Sequence, residues 1–285
     1  MYLSYDAVDV GKAYVFYYEP DRADTELYKM NNITIESLSP YITNFLVILI
    51  RSSIFVSLLP IIGGKEMPGQ FRLGLAVFIA IMLTPVVNVE VREDVIALLV
   101  IKEILIAFAL GLTVRFVFMA INLAGHVISQ AMGLSVAAVF NPELGQTTLI
   151  SEIYGVMAML YFLVMDAHHE IIYIFVKSFE LLPSGQLNIM PVIPQVISLG
   201  NKLFVLALKI GAPVIVGLLL SNILTGFLYK VAPQMNIFFI TLPLNIFLGL
   251  TLIILSIPVF EHVFNLNIID LRNEMARIIA MARTD

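Results

Sequence analysis

The chain has 285 residues, of which 60% are hydrophobic and 13% charged, with a net charge of -5. Soluble domains carry roughly 25% charged residues, so this composition excludes an ordinary soluble fold and points to a polytopic membrane protein. The acidic balance argues against a nucleic-acid partner, and the absence of cysteine excludes disulfides and thiolate metal sites.

In chain order, residues 1–29 are polar, with Asp6, Asp9, Glu19, Asp21, Asp24 and Glu26 among scattered tyrosines and no clean period. Met30 then leads through NNITIESLSPY toward a membrane helix. Met30 is therefore expected to be the initiator, with 1–29 a polar extension or mis-assigned start. A peptide containing Tyr14 in the mass spectrum of the purified chain contradicts this.

Six apolar segments, near 41–62, 71–87, 95–123, 149–166, 203–228 and 237–260, read as helices by length, which predicts an all-α membrane fold. The second and fourth barely suffice for a hydrocarbon core of roughly 30 Å. The third is longer than needed and carries Lys102, Glu103 and Arg115. Lys102 and Glu103 are sequence neighbours and cannot pair across one turn, while Arg115 lies about 18 Å further along the helix. With Arg51 and Lys209, these charges need partners elsewhere in the fold or a wet lumen, because ionisable groups in apolar helices cost several kcal/mol.

Between the third and fourth segments, Ala124–Gly145 is predicted to be an apolar loop. Gly125, Ser129, Gly133 and Ala137 recur every four residues and would share one helical face, inviting close backbone approach. Met132, Leu134, Val136 and Val139 are bulky around that stripe, and Asn141-Pro142 breaks the segment. Two readings follow: a buried re-entrant loop filling space, or a plug within a pore, where irregular backbone is tolerated at membrane depth.

Asp166-Ala167-His168-His169-Glu170 is the one cluster suggestive of metal chemistry. Adjacent histidines on a helix point about 100° apart, so a structural role at the end of the fourth segment is expected, with no metal. No nucleophile elbow, phosphate loop or zinc-protease motif occurs, so neither enzyme activity nor a cofactor is expected. Pro213 and Pro243 should bend the fifth and sixth segments. Gly217, Ser221 and Thr225 form a second small-residue stripe, expected to seat a neighbour. Phe264, Ile268, Leu271, Met275, Ile278 and Ala282 outline an amphipathic tail helix lying on its own protein or on the membrane surface. Arg272, Arg277 and Arg283 favour a cytoplasmic C-terminus.

Several stretches together carry a resemblance: Met67-Pro68-Gly69 with Arg72-Leu73-Gly74-Leu75-Ala76; Glu103 with Ala109-Leu110-Gly111; and Ala124-Gly125 through Gln130-Ala131-Met132-Gly133-Leu134-Ser135 to Asn141-Pro142. Asp166-Ala167-His168, Ser178-Phe179, Leu182-Pro183-Ser184-Gly185, Ala232-Pro233-Gln234-Met235-Asn236-Ile237-Phe238 and Leu242-Pro243-Leu244 complete the pattern. In this order the residues from about Ile42 to Glu261 resemble the FliR family, the R component of the bacterial flagellar export gate, whose homologue serves injectisome type III secretion. His126, Ala167 and Lys230-Val231 depart from the family pattern.

The resemblance implies a non-enzymatic, multi-pass subunit of the bacterial inner membrane, within the flagellum basal body. It implies a part resembling the P subunit over 30–200, with a plug loop at 124–145. A hairpin resembling the Q subunit follows over 201–262, and the tail covers 263–285. Gly125, Ser129, Gln130, Met132, Gly133, Leu134, Ser135, Asn141 and Pro142 fall to the plug. Gly217, Ser221, Thr225, Pro233, Gln234 and Asn236 fall to subunit interfaces. The implied partners are P and Q subunits, other export-apparatus membrane proteins and unfolded substrates. The alternatives are an ion-coupled transporter, or the equivalent injectisome subunit.

Overall fold

A computed structural model describes residues 5–10, 13–18, 35–60, 67–87, 96–134, 148–182, 188–231, 234 and 238–283. Strands β1 (Tyr5–Val10) and β2 (Ala13–Tyr18) form an antiparallel pair with Tyr5 opposite Tyr18. Val8, Val10, Val15, Phe16 and Tyr17 supply the strand preference. The sequence reading missed this hairpin because its alternation is too short to register as a period. Among the described residues after it, the elements are helices: α1 (Ile35–Leu58), α2 (Gly69–Leu83), α3 (Ile96–Ala131), α4 (Leu149–Val164), α5 (Ala167–Leu181), α6 (Val192–Val231) and α7 (Phe238–Ala282).

Four of these helices are long and apolar enough to cross a membrane, and α4 with α5, bent by 72° at their break, can form a fifth span. This is an all-α polytopic membrane architecture. The second apolar segment is a departure from the expected set. Helix α2 has 15 residues, about 22 Å of rise, short of a roughly 30 Å core. It stops at Leu83 because Pro85 follows closely and the Thr84 hydroxyl donates to the Ala80 carbonyl at 2.6 Å.

Helix α3 is the central post, packing against α1, α4, α6 and α7. Ile106, Leu110, Val114, Ile121, Ile128 and Met132 are buried along its length. An aromatic cluster ties it to two neighbours. Phe118 meets Phe162 of α4 with ring centroids 5.4 Å apart and Phe264 of α7 at 6.4 Å, both edge to face.

The two longest helices run further than the apolar segments suggested. α6 has 40 residues and continues through Pro213; α7 has 45 and continues through Pro243 and Pro258. The segment boundaries expected at 200/201 and 262/263 therefore fall within continuous helices. No glycine or proline separates Glu261 from the tail, so the helix has no reason to stop there. The tail residues Phe264, Leu271, Met275, Ile278 and Ala282 are buried, so the amphipathic stripe lies on the protein itself.

Candidate functional site

The end of α3 is where the expected loop begins, and the chain there is helix for eight more residues than expected. Ala124–Ala131 continue α3 without a break. Gly125 allows this, because a Cβ there would lie 2.5 Å from the Ser151 Cα of α4. That approach is fixed by how α4 starts: the Thr148 side chain accepts from the Ser151 N–H, and the Ser151 hydroxyl returns to Thr148. Ser129 and Met132 are buried, and Met132 fills the space over Gly249 of α7, where a Cβ would lie 2.7 Å from it.

The helix stops at Gly133, which takes a φ of +81°. The Leu134 N–H donates to the Ser129 carbonyl at 3.1 Å and the Gly133 N–H to the Gln130 carbonyl at 3.0 Å. This is the Schellman closure that a glycine past a helix end provides. The four-residue stripe is thus cut in half. Gly125 and Ser129 face helical neighbours, Gly133 turns the chain away, and Ala137 lies outside the described residues with Ser135, Asn141 and Pro142. Gln130 is exposed and pairs with His126 at 3.1 Å; Leu134 is half-buried.

The second small-residue stripe runs along the side of α6 that meets α7. Gly217 and Ser221 face α7 of the same chain, and the buried Thr225 hydroxyl donates to the Ser221 carbonyl. A Cβ at Gly217 would stand 2.4 Å from the Leu252 side chain. The Ser221 hydroxyl donates to Asn245 Oδ1 at 3.0 Å, and Asn245 Nδ2 donates to Asn222 Oδ1 at 2.8 Å. Small residues bring the two helices close, and the buried Asn245 holds their register. What the hairpin leaves outward is the other face of α6, where Leu219, Leu220, Ile223, Leu224, Phe227 and Leu228 are exposed. Gln234, between α6 and α7, is exposed, while Pro233 and Asn236 lie outside the described residues.

Two of the charges that needed partners find each other. Arg51 Nε donates to Glu103 Oε2 at 2.6 Å, and both side chains are fully buried. Arg51 also reaches Ser178 Oγ at 3.3 Å and the Leu182 carbonyl at 3.5 Å, and its guanidinium lies 4.2 Å from the Phe179 ring centroid. One side chain of α1 thereby joins α3 to the end of α5. The sequence showed the demand but not the pairing, because the partners are 52 residues apart. Arg115 and Lys209 are exposed, and neither is in an ion pair with another described residue.

The break between α4 and α5 gathers the histidine cluster differently from expectation. Asp166 sits in the left-handed region with φ 54°, and its side chain makes no capping bond. The rings of His168 and His169 lie with centroids 4.1 Å apart and do not diverge. His169 Nδ1 is 3.3 Å from Asp166 Oδ1, while Glu170 is drawn toward Arg272 at 3.5 Å.

The family described as bacterial export proteins, family 1, matches residues 42–270 of the chain. The chain belongs to that family. Among similar proteins, the flagellar biosynthetic protein FliR of Bacillus subtilis is 30% identical over 252 residues, covering 82% of this chain and 95% of the relative. FliR of Escherichia coli is 30% identical over 246 residues, covering 83% and 94%. FliR of Aquifex aeolicus is 32% identical over 237 residues, covering 80% and 90%. In this export protein the matched region runs from the start of the first apolar segment into the tail of α7, so it contains the α3 terminus, the buried ion pair and the α6–α7 seam.

Proposed function

We propose that this export protein is a structural, non-enzymatic subunit of the flagellar protein-export gate in the bacterial inner membrane, assembled with P-like and Q-like subunits. Unfolded substrates pass through the channel they form. Within the assembly, the residues that follow the α3 terminus obstruct the path when it is idle.

Membership of the export family supports the first part. The observation that carries the second is the construction of the α3 terminus. Met132 is locked over Gly249, Gly133 turns the chain, and the following Leu134-Ser135-Val136-Ala137-Ala138-Val139-Phe140-Asn141 holds no ionisable group. A firm anchor followed by a neutral apolar segment suits a seal that works by packing and dewetting, since it can be displaced without breaking ion pairs. The obstructing part is thus narrowed from the whole of 124–145 to residues from Leu134 onward, with Gly125, Ser129 and Met132 as its mooring. The exposed apolar face of α6 and the exposed Arg115 and Lys209 offer the surface for subunits and lipid.

Co-expression of the tagged chain with P-like and Q-like proteins tests the assembly. A stable hetero-oligomer is expected in mild detergent. A chain that purifies alone and moves ions by itself in proteoliposomes contradicts it and restores the transporter reading.

A further inference from the structure

We propose that Asp166, His168 and His169 form a binding site for a zinc-class divalent transition-metal ion at the break between α4 and α5. One ligand atom from each of the three lies within 4.8 Å of the others. The tightest pair, Asp166 Oδ1 and His169 Nδ1 at 3.3 Å, already matches the edge of a tetrahedron whose metal–ligand bonds are about 2.0–2.1 Å. The side chains of Asp166 and His169 are 75% and 72% exposed, so χ rotations can close the remaining gap without moving the core.

Two further observations point to a ligand. Asp166 occupies the N-cap of α5, yet its carboxylate bonds to no backbone N–H and remains turned to the cluster. His168 Nδ1 is shielded from solvent and has no hydrogen-bond partner. A sealed imidazole nitrogen without a partner is unfavourable, and ligation through it would supply the missing partner.

The donor set selects the ion. Two imidazoles and one carboxylate suit zinc, cobalt, nickel or copper, whereas calcium and magnesium prefer oxygen donors throughout. Three protein ligands leave the fourth position to water. The positive end of α5 opposes a cation, and the Asp166 carboxylate at that end offsets the field. Glu170 is held away by Arg272 and stays outside the set. A bound ion would pin the 72° bend, because its ligands come from the break and from the first turn of α5.

The test is titration of the full-length chain, purified in detergent with its affinity tag removed, by cobalt(II) absorption and zinc(II) calorimetry. One ion per chain is expected, with a tetrahedral cobalt spectrum and higher thermal stability when zinc is bound. H169A should weaken binding by more than about 10-fold, since removing mere outer-shell partners of a metal ligand already costs 10–100-fold. H168Q should do the same, and H262N, which alters a histidine on α7, should leave binding unchanged. Calcium should not compete. Absence of zinc binding, or equal binding by wild type and the H168Q/H169A chain, overturns the site and leaves Asp166–His169 as an ion pair only.

Discussion

Replacing Arg51 by methionine removes the charge that joins α1, α3 and α5 while keeping most of the side-chain volume. The expected loss follows from what each partner is left with. Ser178 still donates to the Phe175 carbonyl at 2.6 Å, and the Leu182 carbonyl loses only a contact at 3.5 Å, so both contribute little. Glu103 loses everything. Its Oε2 accepted the 2.6 Å bond from Arg51, and its Oε1 already has no partner. A fully buried carboxylate stripped of its counter-charge costs about 3–5 kcal/mol. In R51M/E103L the orphaned charge is gone, and an apolar pair of similar volume is often neutral, so stability should return to within about 1 kcal/mol of wild type. Adding E103L to R51M should therefore recover about 3 kcal/mol. With no tryptophan and no cysteine in the chain, unfolding is followed by circular dichroism or by gel filtration after heating. A double variant as unstable as R51M refutes the reasoning, because the loss would then come from packing and not from the stranded carboxylate.

Gly125→Ala should destabilise the chain by about 1–3 kcal/mol, because the new methyl meets the α4 backbone at Ser151, which cannot yield. Gly249→Ala should cost less, since its neighbour is the flexible Met132 side chain; the two are compared by thermal unfolding in the same detergent. Gly217→Leu should open the α6–α7 hairpin of the isolated chain, through Leu252, and not act only on assembly. Protease sensitivity of the purified variant, measured before any partner is added, separates these outcomes.

The helical membrane fold was legible because long apolar runs admit few alternatives, and hydropathy placed the cores of α1, α3, α6 and α7 well. Their ends were not legible. The α3 terminus was placed near Leu123, since glycine and small residues from Gly125 onward looked like loop. A packed α4 makes Gly125 an asset within a helix, and only Gly133, with its positive φ, ends it. Likewise the tail of α7 reads as a separate amphipathic element, yet it continues the sixth apolar segment because nothing interrupts the helix. The stripes at Gly125 and Gly217 announced close approach correctly, but spacing cannot say which helix approaches. That depends on the tertiary arrangement, as does the Arg51–Glu103 pairing. The histidine cluster was visible in the sequence, but the closeness of its rings was not: Asp166 takes the left-handed region before the first turn of α5, which no periodicity records.

The central claim is that the residues after Gly133 seal the idle gate, and Leu134→Asp in the assembled gate tests it most directly. An aspartate at Leu134 places a charge in the neutral segment beside its anchor while leaving Met132 and Gly133 intact. The measurement is membrane potential in cells carrying the assembled variant, with complex formation verified by co-purification. A collapsed potential with export retained is the expected result. An intact potential in cells whose gate is fully assembled with the variant contradicts the claim and makes the segment a space-filling loop.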